Sequence, residues 1–268
     1  MIDILISSRN DNPSELFKTL ECLDGLEEEL SFSVVLINDS NKNIEEESIP
    51  ESLKNKIKVL KTKNRSGLAS ALNEGIRHCS NEFIARIDQG DISSHKRFID
   101  QLNEFTLDDE LCFIGAKSEL KYIDDNGQII KKRNSIGPLG WKKLRIILKR
   151  KNPLVHGSVM FRKNSLIEAG GYDERYMFAQ DYELYLRFIK KNMKGIIIDN
   201  INHEHKFYTK KSSTIIKNRK SRYFGMKARL MHFAFSDYLI FLNLVFLFKD
   251  LFLMFLPQSL YKKIILKL

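Results

Sequence analysis

Cysteine is scarce in this sequence, and its three residues are scattered. Cys22, Cys79 and Cys112 form no CxxC pair, so neither a disulfide framework nor a cysteine zinc site is indicated. The first residues, MIDILISSRND, contain no basic segment and no long apolar core, which argues against a secretory signal. We therefore expect the protein in the reducing cytoplasm.

Internal repeats and low-complexity linkers are also absent from the sequence. The 268 residues are enough for one sizeable α/β domain with an appendage. With 43% apolar and 29% charged residues, the composition is that of a globular protein and not of a disordered one.

Two basic stretches contain no acidic residue, and the chain as a whole carries a net charge of +10. Residues 131–151 carry nine Lys or Arg and no Asp or Glu, and residues 206–229 repeat this pattern. Such stretches suit an anionic partner, namely lipid headgroups, nucleic acid or a phosphorylated substrate, although a solvated basic face is the alternative. Because no nucleic-acid recognition module is present, we expect no nucleic-acid partner.

Apolar strand patterns alternate with helical ones in the first third of the chain. Strands are predicted at 2–7, 32–38, 57–60 and 83–87, and Ser66 is placed to cap the helix before the fourth. This alternation is typical of right-handed βαβ units and a parallel sheet. Further on, residues 111–123 are predicted to form one strand that ends in a hairpin turn, and residues 155–161 another.

Two of the predicted strands end in a carboxylate. Asp39 follows the second strand, Asp88 follows the fourth, and Asp91 comes three residues later. Ligands of open α/β sheets bind outside the carboxyl ends of the strands, and carboxylates there suit a divalent cation that carries a phosphate. An Asp-rich turn is the alternative for one such strand. Two strands ending in this way favour a nucleotide or metal site.

Histidines and one further aspartate complete the candidates. Asp181 falls in the first turn of a predicted helix, where the dipole favours a negative side chain, so a merely structural role is the alternative. His156 enters a predicted strand at the same sheet edge, where it would contact a bound ligand or else sit in the core. His203 and His205 have the spacing of a two-ligand strand motif, but the sequence shows no third partner, so no metal is predicted there.

The last part of the chain is strongly apolar. Residues 238–248 are apolar except for Asn243, and residues 251–256 continue the run after Lys249 and Asp250. A central charge costs about 2.5–3.5 kcal/mol on insertion, which argues against a transmembrane helix. A segment lying in an anionic membrane interface fits better, with packing on the protein or on a dimer partner as the alternative.

Four blocks of the sequence, taken in order, resemble the family 2 glycosyltransferases of the GT-A fold. The blocks are LISSRND, VVLINDS, NRSGLASALNEG leading to ARIDQGDIS, and HGSVMFRKNSLIEAGGYDERYMFAQDYELYLRF. The resemblance covers residues 2–207 and implies a Rossmann-like α/β domain at 1–210, with a basic and apolar helical extension at 211–268. It also implies an inverting transfer from a nucleotide-sugar, UDP-linked, to a hydroxyl of a glycan or lipid-linked oligosaccharide in bacterial surface-polysaccharide assembly.

The same resemblance implies roles for single residues. Asp181 matches the aspartate that acts as base, although Gln180 replaces the usual Glu before it. Asp88 and Asp91 fall on the DXD region, which binds the sugar-diphosphate with Mg²⁺ or Mn²⁺, but Gly90 stands where an aspartate is usual. The nucleotide pocket would be lined by Ser8, Arg9, Asp39 and Arg65. His156 would contact acceptor or diphosphate, with a core position as the alternative.

These departures leave a rival function open. Gly90 and Gln180 are also what a catalytically inactive GT-A domain that binds a glycan or a partner would show, whereas the retained aspartates speak against it. For the active enzyme, the expected location is cytoplasmic and peripheral on the inner face of the cell membrane, and a homodimer is compatible with the sequence.

Overall fold

A computed structural model of the chain describes residues 1–9, 12–62, 66–124, 126–199, 201–208, 212–233 and 240–255. The strands are β1 Ile2–Ser8, β2 Phe32–Asn38, β3 Ile57–Lys61, β4 Phe83–Asp88, β5 Ile92–Ser93, β6 Leu111–Ala116, β7 Glu119–Ile123, β8 Ile129–Asn134, β9 Met160–Arg162, β10 Lys194–Ile198 and β11 His203–Tyr208. The helices are α1 Pro13–Glu21, α2 Leu68–His78, α3 His95–Leu107, α4 Trp141–Leu148, α5 Lys163–Glu168, α6 Gln180–Lys190, α7 Ser212–Phe233 and α8 Ile240–Phe255.

A seven-stranded sheet forms the centre of the molecule. Its strand order is β10-β6-β9-β4-β1-β2-β3, and only β9 runs antiparallel to its neighbours. A smaller sheet of four strands has the order β5-β11-β7-β8. The predicted α/β class with a mostly parallel sheet is therefore confirmed.

Alternating side chains of the central strands enter two separate cores. Leu5 of β1 lies in one core with residues of α2 and α6, whereas Ile4 and Ile6 lie in the other with residues of α1 and α3. Successive residues of a strand point to opposite faces, so a parallel sheet covered by helices on both faces needs apolar residues at almost every position. The carboxyl edge of the sheet is left for polar side chains.

Three local predictions were wrong. Residues 111–123 form two strands in different sheets, because the chain turns at Lys117 and Ser118, whose backbone N–H groups bond to Ile198 O and Ser135 Oγ at 3.1 and 2.8 Å. A 3-10 turn occupies residues 156–158, so the strand after it covers 160–162 only. Gly67, at φ 90°, and not Ser66, is the N-cap residue of α2.

The carboxyl-terminal helices pack on the α/β domain in sequence. Helix α7 contacts α6, and α8 contacts α7. Among the helices in the described ranges, none combines the length and the apolar character that crossing a bilayer requires.

Candidate functional site

Three of the predicted site residues lie at one edge of the central sheet. Ser8 pairs with Asn38 across β1 and β2, and Ser7 pairs with Asp88 across β1 and β4. Parallel strands lie about 4.8 Å apart, so Asp39 and Asp88 are separated by roughly two strand spacings. The hydroxyl of Ser8 donates to Gln89 Oε1 at 2.8 Å.

Asp39 connects the end of β2 to the start of α2. Its Oδ1 accepts a hydrogen bond from Thr62 Oγ1 at 2.7 Å, and its Oδ2 accepts one from the backbone N–H of Gly67 at 3.2 Å. The hydroxyl of Ser66 lies 3.4 Å from Oδ1. The carboxylate is buried, so these donors replace the water that it would otherwise bind.

Asp88 is paired with a buried arginine of its own strand. Arg86 and Asp88 are two residues apart in β4, so both side chains project from the same face, and one guanidinium nitrogen contacts Asp88 Oδ1. A second guanidinium nitrogen donates to the carbonyl of Leu5. Arg86 is fully buried, whereas the Asp88 side chain is 27% exposed. The arginine therefore contacts the carboxylate from the protein interior and leaves part of it accessible to solvent.

Asp91 faces two histidines of β11. Its Oδ2 lies 3.0 Å from His203 Nε2, and its Oδ1 lies 2.8 Å from His205 Nδ1. Burial by itself would raise the pKa of Asp91, but the two histidines outweigh it and hold the pKa well below its usual value. Burial lowers the pKa of His203, although Asp91 opposes this shift.

The prediction that His203 and His205 lack a third partner was wrong, because Asp91 is that partner. One oxygen and two nitrogens of these three residues lie within 4.8 Å of one another. The other ring nitrogen of His203 lies 2.7 Å from Ser93 Oγ, which is the outer contact that a metal-bound histidine usually makes. Two imidazoles and one carboxylate suit Mn²⁺ or Zn²⁺ better than Mg²⁺, which prefers oxygen ligands.

Gly157 allows the turn at residues 156–158 to approach both aspartates. A Cβ at this position would lie 2.4 Å from Asp91 Oδ2 and 3.0 Å from the backbone nitrogen of Asp88. A side chain at this position would therefore force either the turn or the Asp91 carboxylate to move. The requirement is for space and not for an unusual backbone angle.

His156 occupies the position of a core histidine. It is buried, and its Nε2 lies 2.8 Å from the hydroxyl of Tyr172. Burial lowers the pKa of His156, while the nearby carboxylates of Asp88 and Asp181 act in the opposite direction.

Asp181 is the second residue of α6. Its Oδ2 accepts a hydrogen bond from Asn152 Nδ2 at 2.8 Å. The helix begins after Ala179, which adopts a left-handed conformation with φ 55° and so redirects the chain immediately before the acidic turn. The side chain is partly exposed, as a group that meets a substrate has to be.

The remaining predicted residues and two unpredicted ones complete the site. Arg9 is exposed at the end of β1, and Arg65 lies outside the described residues. Sequence reasoning missed Arg86, although a charge inside an apolar strand pattern was a usable signal. It also missed Asn152, a loop residue for which no sequence signal existed.

Comparison with known proteins decides the family. Residues 3–170 match the model of Glycosyl transferase family 2. The chain belongs to this family. The glycosyltransferase is 28% identical to the amylovoran biosynthesis glycosyltransferase AmsE of Erwinia amylovora. The similarity extends over 193 residues, which are 70% of each chain. It is 27% identical to the UDP-Gal:alpha-D-GlcNAc-diphosphoundecaprenol beta-1,3-galactosyltransferase of Escherichia coli. This similarity extends over 248 residues and covers 87% of this chain and 84% of the relative.

Solved structures of low sequence identity share the fold of the glycosyltransferase. S. aureus TarS 1–349 in complex with UDP-GlcNAc has a TM-score of 0.61 at 15% identity, covering 93% of this chain and 71% of TarS 1–349. The Pyrobaculum calidifontis mannosyltransferase PcManGT, in complex with GDP-Man and Mn²⁺, has a TM-score of 0.64 at 13% identity, covering 92% of this chain and 69% of its own. The predicted GT-A fold and glycosyltransferase class are confirmed.

Proposed function

We propose that this glycosyltransferase moves a sugar from a nucleotide-sugar to an acceptor hydroxyl with inversion, and that Asp181 is the general base. The observation that carries the proposal is the carboxylate of Asp181, which is partly exposed at the start of α6 and is bound through Oδ2 by Asn152. A single displacement needs a base on the acceptor side and charge stabilisation on the opposite side, where the diphosphate departs.

Asp181 has the contacts that a base requires. Asn152 donates to Oδ2, and no residue in the described ranges donates to Oδ1. In the proposed step, Oδ1 takes the proton of the acceptor hydroxyl while the hydroxyl oxygen bonds to the anomeric carbon. The bond from that carbon to the phosphate oxygen breaks, and the nucleoside diphosphate leaves with the electron pair.

The donor would bind along the edge formed by β1, β2 and β4. We propose that Asp39 contacts the base or ribose and that Ser8, Arg9 and Arg65 line the nucleotide pocket. Support comes from Asn38, whose Oδ1 is buried without a hydrogen-bond partner in the part of the chain that the structure describes. A buried acceptor of this kind is expected to gain a donor from a ligand. The names of the E. coli relative and of the TarS complex favour a UDP-linked sugar.

A divalent cation would be held by Asp91, His203 and His205, with Asp88 next to the diphosphate. The donor atoms fit, because they lie close together and His203 is oriented by Ser93. When bound, such a cation stabilises the negative charge that develops on the leaving diphosphate. We therefore propose Asp91 with the two histidines as the metal site, in place of the pair Asp88 and Asp91 that the family resemblance implied, and Mn²⁺ in preference to Mg²⁺.

The acceptor is proposed to be a glycan or a lipid-linked oligosaccharide. The E. coli relative is named for a diphosphoundecaprenol-linked acceptor, and the Erwinia relative for the biosynthesis of amylovoran. A lipid-linked acceptor is present only at a membrane, so we also propose that the enzyme works at the cytoplasmic face of the cell membrane.

The test measures release of nucleoside diphosphate by the purified full-length chain. A panel of UDP- and GDP-sugars is supplied with a GlcNAc-diphospholipid acceptor, with Mn²⁺ and with EDTA. We expect acceptor-dependent release with one UDP-sugar and little release in EDTA. Donor binding without release across the panel would instead favour the inactive GT-A domain that binds a glycan or partner.

A further inference from the structure

Helix α8 carries an apolar stripe on its outer surface. Val245, Phe248, Phe252 and Phe255 are 48%, 67%, 64% and 79% exposed. Their spacings of three, four and three residues place them along one face of the helix. Three aromatic side chains in one such row form a contiguous apolar surface, which is unusual for a face that meets only water.

The only acidic residue of α8 points the other way. Asp250 accepts a hydrogen bond from Arg222 at 3.0 Å and pairs with Arg229, and both arginines belong to α7. Leu253, one turn further, is buried at 4% exposure. Arg229 also donates to the carbonyl of Arg150 at 2.7 Å, just beyond α4. These contacts hold α8 against α7 so that its apolar stripe stays outward.

We propose that this stripe docks into the interface of an anionic lipid bilayer, with α8 lying parallel to the membrane plane. The sixteen residues of α8 correspond to roughly 24 Å of helix, which is shorter than the hydrocarbon core. With Asp250 neutralised on the protein side, the stripe can enter the boundary between headgroups and acyl chains without burying a charge.

The charge around the stripe selects an anionic surface. Lys249 is exposed on α8 directly beside the stripe. Lys262, Lys263 and Lys267 follow α8 in the sequence. Basic side chains next to an inserted apolar face attract anionic headgroups.

The same charge argues against a second copy of the chain as occupant. In a symmetric dimer, the identical patch of each protomer meets at the interface. The basic residues beside the stripe of one protomer would then face those of the other, and like charges across an interface oppose association. Membrane docking by the stripe does not depend on the transfer reaction. A failure of this proposal can therefore be distinguished from a failure of the proposed function.

The test is co-sedimentation of the full-length chain with phosphatidylcholine vesicles, with and without phosphatidylglycerol. We expect binding to the anionic vesicles that weakens as salt is added. The double variant Phe248→Ser with Phe252→Ser is expected to reduce the partition coefficient by about tenfold or more, because two apolar side chains no longer leave water. Leu107→Ser with Met177→Ser is the matched control, since both residues are highly exposed elsewhere, and it should bind as the wild type does.

Two results would overturn the proposal. One is equal vesicle binding by the wild type and the Phe248→Ser, Phe252→Ser variant. The other is a wild-type dimer in light scattering that the same variant converts to monomer, which would assign the stripe to a second copy. Transfer to a water-soluble acceptor should be unchanged in this variant. A loss there would point to unfolding, which thermal melting of the variant reports directly.

Discussion

The side-chain amide of Asn152 is held between two partners, and one of them is Asp181. Its Oδ1 accepts from the backbone N–H of Leu154 at 3.0 Å, so its Nδ2 is directed to Asp181 Oδ2 at 2.8 Å. An amide with one end fixed in this way cannot turn its oxygen toward the carboxylate. The proposed base is therefore oriented by a loop residue 29 positions before it.

Asp181→Asn should abolish transfer while donor binding persists. An amide cannot accept the acceptor proton, so kcat should fall by about 10²–10⁴-fold, the usual contribution of general base catalysis. The dissociation constant of the nucleotide-sugar should stay near that of the wild type, as measured by calorimetry. Asp199→Asn is the control because Asp199 is an exposed partner of Lys117. Equal loss of binding and rate would assign Asp181 a structural role.

Asn152→Ala should reduce kcat less than Asp181→Asn does. The carboxylate is retained but loses the donor that orients it, so we expect a decrease of about tenfold at unchanged donor affinity. Adding Asn152→Ala to Asp181→Asn should cause little further loss, because the two residues act through one contact. Independent, multiplying effects in this double-mutant cycle would contradict the pairing.

Mn²⁺ should stabilise the folded chain through the cluster of Asp91, His203 and His205. The melting temperature should rise with Mn²⁺ concentration and rise less with Mg²⁺, because two of the three donors are nitrogens. His205→Ala should remove the Mn²⁺-dependent rise, and this residue is chosen because it is less buried than His203. His78→Ala is the control, since His78 lies on α2 outside the cluster. An unchanged Mn²⁺ effect in His205→Ala would exclude this metal site.

Gly157→Ala should destabilise the chain and weaken the Mn²⁺ effect. The added methyl group would lie 2.4 Å from Asp91 Oδ2, so the turn or the carboxylate has to move, at a cost of about 1–3 kcal/mol. Gly140→Ala is the matched control, because nothing lies within 4 Å of a Cβ at that position. Equal melting temperatures of the two variants would show that the turn has room for a side chain.

Glu183 should contribute a pH-dependent part of the stability. Burial alone would raise its pKa, but hydrogen bonds from His232 of α7 and from Arg187 outweigh burial and lower it. A lowered carboxyl pKa stabilises the fold above the unfolded value of about 4.3, and this stabilisation is lost as the pH falls through the lower, folded value.

The measurement compares melting temperatures of the wild type and Glu183→Gln from neutral to acidic pH. The difference should be largest near neutrality and should shrink below about pH 4. Glu51→Gln, which removes an exposed partner of Lys54, should show little difference at any pH. A constant difference for Glu183→Gln across this range would contradict the linkage.

Contacts between distant segments could not be predicted from the sequence. Asp91 meets His203 and His205 because β5 pairs with β11 in the small sheet, a pairing of two strands more than a hundred residues apart. Asn152 was missed for the same reason, since its partner Asp181 lies 29 positions further along the chain and no local pattern points to the contact. The break at Lys117 and Ser118 was missed because an apolar run does not show which sheet each half joins.

The sequence alone determined the alternation of strands and helices and the acidic residues at the ends of β2 and β4. Both follow from local rules, because apolar periodicity and polar residues at strand ends are patterns of residues close together in the sequence. Only the tertiary structure decided that Asp91 contacts His203 and His205, that Asn152 contacts Asp181 and that Asp250 pairs with two arginines. Such contacts join segments far apart in the chain, and they exist only after the sheets and helices have packed.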